Sequence, residues 1–268
     1  MNDQKVGGSA AAFRKQYLFV IRELTNREIK RKYARSYLGI IWSVLNPLLT
    51  MLVMTMVFSY MYRRNIVNYP VYLLTGQIFF TLFRSSTDSA MSALADNRLL
   101  LMKAKLPKQT FVLARIYTAL VNFGYTCIAY ALIVLLFAVL GKLKLSCALL
   151  LFPADVLLLL MFSTGIGLTL SIIHVFFADI QYLYRVLLTL WMYLSALFYP
   201  VSSLSPTMQT VVGLNPVYLA ISIARTMVLE SAFPDWRSWL GLGLYALASF
   251  SVGYFVFRKY ENNVMQFL

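Results

Sequence analysis

Residues 186–224 read VLLTLWMYLSALFYPVSSLSPTMQTVVGLNPVYLAISIA, 39 positions between Arg185 and Arg225 without one Asp, Glu, Lys or Arg. The first part, up to Pro200, is apolar enough to begin a membrane span, for which a helix needs about 20 such residues. The remainder stays apolar but is broken by Pro200, Pro206, Gly213 and Pro216. Broken backbone is tolerated at membrane depth only where protein buries it or it lines a cavity. The stretch therefore predicts one span followed by two short helices at or dipping into the membrane, an arrangement suited to a gate or pathway.

Composition agrees. Hydrophobic residues make up 60% of the 268, the mean hydropathy is +0.70, and charged residues are 13%, about half the usual share in soluble domains. The chain reads as an all-α polytopic membrane protein. Its net charge of +14 does not indicate nucleic acid, because the basic residues fall mostly between apolar runs. Those runs predict six transmembrane helices: 36–62, 65–83 continuing past Arg84 and Asp88 to 95, 116–141, 156–178, one starting at 186, and 238–257. Seventeen Lys and Arg fall on the side of the termini and six on the other. The positive-inside rule then places both termini in the cytoplasm. The apolar run 17–21 is cut by Arg22 and Glu23, too short for a signal peptide. Two cysteines support no metal or redox framework.

Residues 1–35 form an N-terminal cytoplasmic interface segment, and 36–268 the membrane domain. Phe13, Tyr17, Val20 and Leu24 recur at helical spacing among Arg14, Arg22, Arg27, Lys30, Arg31 and Lys32. That pattern predicts an amphipathic helix on anionic lipid. Asn46-Pro47 should kink the first span. Between spans two and three, Leu99, Leu100 and Met102 form an apolar cluster amid basic residues, which needs either a protein surface or headgroups to cover it. After span five, Pro206 and Pro216 suit helix first turns, Gly213 suits a helix end, and Asn215 separates the two helices.

Arg84 and Asp88, four apart, can pair on one helix face. They either line a pathway or neutralise each other near headgroups or between helices. Asp155 reads as an exposed cap and His174 as a satisfied polar residue. Phe58, Tyr60, Tyr62, Trp191, Tyr193, Phe198 and Tyr199 cluster near the outer ends of spans one and five. They serve as an interfacial belt or line a pathway. Clustered acid–base residues at membrane depth are lacking, which argues against an intramembrane enzyme, and no charged ring or carbonyl filter marks a passive channel.

Several motifs in order resemble one family. They are IKRKYARSYLGIIWSVLNPLLTMLVMTMVF (29–58), YPVYLLTGQIFFTLFRSS (69–86) with Gly76, ADNRLLLMKAKLPKQTFVLARI (95–116), FFADIQYLYRVLL (176–188), LSALFYPVSSLS (194–205) and GLNPVYLAISIAR (213–225). The chain is similar, over residues 13–265, to the membrane subunit of type-2 ABC exporters of lipid-linked polysaccharides: O-antigen, capsule and wall teichoic acid. Where that family often has Arg-Asp, this chain has Ala178-Asp179, which leaves no arginine there for docking. The resemblance implies a homodimer in the bacterial plasma (inner) membrane, with two copies of an ATPase subunit that binds ATP and Mg. It assigns a cytoplasmic coupling helix at about 96–108, with Asn97, Arg98, Leu99, Leu100, Met102 and Lys103 as the contact. Gate helices fall at about 206–230, with Pro206, Gly213, Asn215 and Pro216. Phe58, Tyr62, Arg84, Asp88, Tyr193, Phe198 and Tyr199 are pathway candidates. The chain itself carries no G-x-x-x-x-G-K-[ST] phosphate loop, no catalytic residue and no metal site. Export of a small hydrophobic molecule or drug is the alternative cargo.

Overall fold

A computed structural model describes residues 4–34, 36–39, 41–62, 68–103 and 106–267, with side chains from residue 17 onward except 58–62, 265 and 266. All described secondary structure is helical. The helices are α1 (Gln4–Tyr33), α2 (Ile41–Tyr62), α3 (Tyr69–Met91), α4 (Ala93–Asp96), α5 (Arg98–Lys103), α6 (Gln109–Val139), α7 (Phe152–Phe176), α8 (Ile180–Leu194), α9 (Pro206–Gly213), α10 (Pro216–Arg225), α11 (Trp236–Tyr260) and α12 (Val264–Phe267). A 3-10 turn (Cys147–Leu151) precedes α7 and a π turn (Thr226–Glu230) continues α10.

Among the described residues, three helical stretches are long and apolar enough to cross a membrane: Gln109–Val139, Cys147–Phe176 and Trp236–Tyr260. The pair Pro206–Gly213 and Pro216–Glu230 reaches that length only with a 92° bend between its parts, the geometry of a broken span or re-entrant loop. The three remaining expected spans fall short of that test. In the first, α2, the stretch Ile41–Val57 is apolar but shorter than a full span. The other two deviate for physical reasons. α3 has the length, about 35 Å at 1.5 Å per residue, but carries Thr81, Arg84, Ser85, Ser86, Thr87, Asp88 and Ser89. It tolerates them because it is the hub: α2, α6, α7, α8 and α10 all pack on it. Its core residues Phe79 and Phe83 are fully buried.

The expected fifth span is displaced. α8 starts at Ile180, six residues before the predicted position, and ends at Leu194 rather than running through Tyr199. Fifteen residues reach only about 22 Å. Ser195 then bonds back to the Trp191 carbonyl at 2.8 Å and Ala196 takes φ 47°, so the chain turns before Pro200. Within the expected coupling helix at 96–108 the described helix is α5 (Arg98–Lys103), preceded by the short α4 that ends at Asp96; residues 104 and 105 lie outside the described ones.

The tightest crossing joins α7 to α11. A Cβ on Gly165 would stand 2.2 Å from the Ser249 carbonyl, and one on Gly253 would stand 2.2 Å from the Gly165 carbonyl oxygen. Glycine lets these backbones touch, the small-residue route to helix packing in membranes. Ser249 Oγ adds a bond to the Phe162 carbonyl at 2.9 Å.

Candidate functional site

Three regions carry the residues that the sequence singled out. The first is the bent pair α9–α10. Pro206 and Pro216 occupy first turns, as predicted. Gly213 ends α9, as predicted, without a positive φ and with open space around it. Asn215 does more than separate the helices. Its Oδ1 accepts from the Val217 backbone N–H at 3.0 Å and from the Trp191 indole at 2.8 Å. Its Nδ2 donates to the Leu194 carbonyl and to Ser195 Oγ. One buried amide thus caps α10 and ties it to the end of α8. Trp191 packs on Phe83 and Phe162, so it belongs to this core and not to a free sugar-facing surface.

The residue that the sequence reading passed over is Arg225. It counted as one of the outer loop cations, yet it is 7% exposed. Its guanidinium donates to the carbonyls of Ala196 at 2.9 Å, Leu197 at 3.1 Å and Tyr72 at 3.3 Å. It also lies 3.4 Å over the Tyr72 ring. The broken turn after α8 exposes carbonyls that no helix satisfies, and a planar five-donor fork is the side chain that can cover several at once. Gly76 makes room, since a Cβ there would stand 2.7 Å from the guanidinium. The available signal was position: Arg225 closes the uncharged run on the apolar helix PVYLAISIAR.

The second region is the uncovered side of α3. Thr81 and Arg84 are exposed, and Ser85, Asp88 and Ser89 half-buried. The expected Arg84–Asp88 pair is not made. Asp88 instead meets Arg185 of α8 at 3.5 Å, a partner that the sequence reading placed in a loop. Tyr184 of α8 donates to Thr87 of α3 at 2.6 Å, which fixes this register. Tyr193 stands exposed beyond it, near Phe198, and its carbonyl accepts from Tyr199 Oη at 2.6 Å. The Phe198 carbonyl accepts from Tyr69. The side chains of Phe58, Tyr60 and Tyr62 lie outside the described ones.

The third region is α4–α5. Leu99, Leu100 and Met102 are 72%, 36% and 51% exposed, while Leu101 is buried. Arg98 and Lys103 are exposed beside them. Asn97 is buried, donates to the Ala93 carbonyl at 2.8 Å and accepts from Arg27 of α1 at 2.8 Å. Arg115 of α6 bridges Glu28 of α1 at 3.0 Å and Asp96 of α4 at 2.7 Å. Burial raises the Glu28 carboxyl above its ordinary value, with Arg115 pulling the other way. The stripe Val20, Leu24 and Thr25 of α1 packs against the protein, Thr25 reaching the Ala114 carbonyl of α6, while Leu18 and Phe19 remain exposed. Two further expectations fail. Asp155 is fully buried with both carboxyl oxygens unpartnered, and the buried His174 has no partner at Nδ1.

The chain is helical, with a bent helix pair that is a broken span or a re-entrant loop, a polar strip on its central helix and an exposed apolar knob at the α3–α6 connection. The proteins it resembles are transport permeases. Residues 20–229 match the ABC-2 type transporter family, and the chain is a member of it. It is 32% identical over 239 residues to the O-antigen export system permease protein RfbA of Myxococcus xanthus, covering 88% of each chain. It is 24% identical over 247 residues to the polysialic acid transport protein KpsM of Escherichia coli, covering 91% of this chain and 95% of that one. The capsule polysaccharide export inner-membrane protein CtrC of Neisseria meningitidis serogroup A is 25% identical over 253 residues, 87% of this chain and 92% of its own.

Proposed function

We propose that the chain is the membrane subunit of an ATP-driven exporter that carries a lipid-linked polysaccharide or teichoic acid out of the bacterial cytoplasm. The observation that carries this reading is the uncovered polar side of α3. Arg84 projects from it about 10 Å along the helix from Met91, a position that lipid chains solvate poorly. A second copy of this chain or an aqueous pathway must cover it. In a homodimer the two strips line a conduit, with Arg84, Asp88 and the exposed ring of Tyr193 toward the cargo, and Phe198 and Tyr199 toward its outer end. The activities for which these relatives are named, O-antigen, polysialic acid and capsule polysaccharide export, support a glycan cargo over a small hydrophobic molecule.

In this reading α2, α3, α6, α7, α8 and α11 make six spans with both termini cytoplasmic, α1 lies on the inner leaflet, and α9–α10 form the outer gate. Family members normally pair with an ATPase subunit. Two such subunits dock on Leu99, Leu100 and Met102 and bind ATP and Mg themselves. Deleting the chain from its host should leave the glycan trapped inside the cell on its lipid carrier. Normal surface glycan in the deletion strain contradicts the reading.

A further inference from the structure

The outer face holds a second feature that the conduit does not use. α10 buries Val217, Ala220, Ile221 and Ala224 in the protein. Along its other side stand Tyr218 and Ser222, one turn apart, followed by Thr226 and Glu230 on the π turn. All four line a cavity of about 420 Å³ together with Asn68 and Lys142, a size common for small-molecule sites. The buried Arg225, stacked on Tyr72, lines it as well. Lys142 and Glu230 line the same space, and no ion pair joins them among the described residues. The Asn68 amide donates to the Lys142 carbonyl at 2.7 Å, which holds those two lining residues together.

We infer that this outward cup is a saccharide subsite, holding a sugar unit of the chain that leaves the conduit. The inference rests on the export reading above. The chemistry fits a hexose. Tyr218 offers an aromatic face to the apolar C–H side of the ring. Hydroxyls at Ser222 and Thr226 together with the Glu230 carboxylate and the Lys142 ammonium supply donors and acceptors for its hydroxyls. An anionic phospholipid headgroup would use Lys142 but would leave the Glu230 carboxylate and the Tyr218 ring without a role. Binding here would lie directly above the guanidinium that holds the turn after α8, so cargo and hairpin share one wall.

The test is photo-cross-linking in cells that carry the full exporter, with p-benzoylphenylalanine replacing Val201, which lines the cavity without a role in holding the sugar, and, separately, Thr81 on the α3 strip. Adducts bearing the cell's own polysaccharide are expected at both positions and should disappear when glycan synthesis is blocked. Adding Tyr218→Ala should lower the adduct at 201 roughly fivefold, the scale of one lost aromatic face, and leave the adduct at 81 unchanged. A glycan adduct at 81 with only phospholipid, or nothing, at 201 overturns the cup and leaves export standing. An unchanged 201 adduct after Tyr218→Ala overturns the role given to the ring. Absence of glycan from both positions contradicts export and the cup together.

Discussion

The two functional ends of the molecule solve opposite solvation problems. At the α9–α10 end, an uncharged run is held by one buried arginine that satisfies carbonyls across a broken turn. At the α4–α5 end, apolar side chains stand in the open and are held from behind by a network in which Arg27 and Asp96 are exposed, Glu28 and Arg115 half-buried and Asn97 buried. A single removal should therefore be costly at the first end and shared among neighbours at the second. A desolvated charge pinned to bare carbonyls has no substitute, whereas water can replace a surface ion pair.

Substitutions that attack what both ends share should have the largest effect. Gly165→Leu drives a side chain into the α11 backbone and should cost on the order of 4 kcal/mol or more. Both ends should then fail together, seen as loss of monodisperse protein in detergent. Next comes Arg225→Ala, which removes the guanidinium donors from the carbonyls of Tyr72, Ala196 and Leu197. We expect a loss of about 3 kcal/mol, confined to the hairpin. Cysteines placed at 196–199 should become reactive to a water-soluble thiol reagent while ATPase binding persists. Arg225→Lys keeps the charge but not the fork and should fall between.

At the opposite end, Leu100→Asp with Met102→Asp should leave the melting temperature nearly unchanged, because both side chains are exposed. Capture of the ATPase subunit should fall by more than about tenfold, as expected for apolar anchors at the centre of an interface. Unaltered capture and ATPase activity would remove the docking assignment.

The smallest expected effect is at Glu28. Its carboxyl is raised from an ordinary value near 4.5 by burial. The folded state therefore binds that proton more tightly than the unfolded state. The contribution is full below about pH 4.5 and is lost as pH rises through the folded value. Glu28→Gln should flatten this part of the pH dependence of melting between acid and neutral pH; an unchanged slope would assign it to another group.

What the sequence disclosed follows the range of the forces involved. Apolar runs, prolines at helix starts and the exposed Leu99–Leu100–Met102 knob are local features, and they were legible without any tertiary contact. Arg225 was not, because the Tyr72 carbonyl it holds lies 153 residues away in sequence. A charge count can assign it only to a loop. Arg84 and Asp88 had the correct spacing for a pair, but α8 begins early and delivers Arg185 to Asp88 first. Asp155 sits where a cap should be exposed, and packing around the start of α7 closes over it. The sixfold span pattern was blurred for the same reason. A hub helix such as α3 is shielded by its neighbours and can carry polar residues that an isolated span could not.

The most direct test is ATP-dependent movement of polysaccharide by the chain together with its ATPase subunit in sealed vesicles. Labelled lipid-linked polysaccharide is supplied on the side bearing the ATPase. The account predicts appearance of label on the opposite side that requires ATP and is abolished by Leu100→Asp with Met102→Asp. No transfer by the assembled complex, or transfer that persists without ATP, would contradict it.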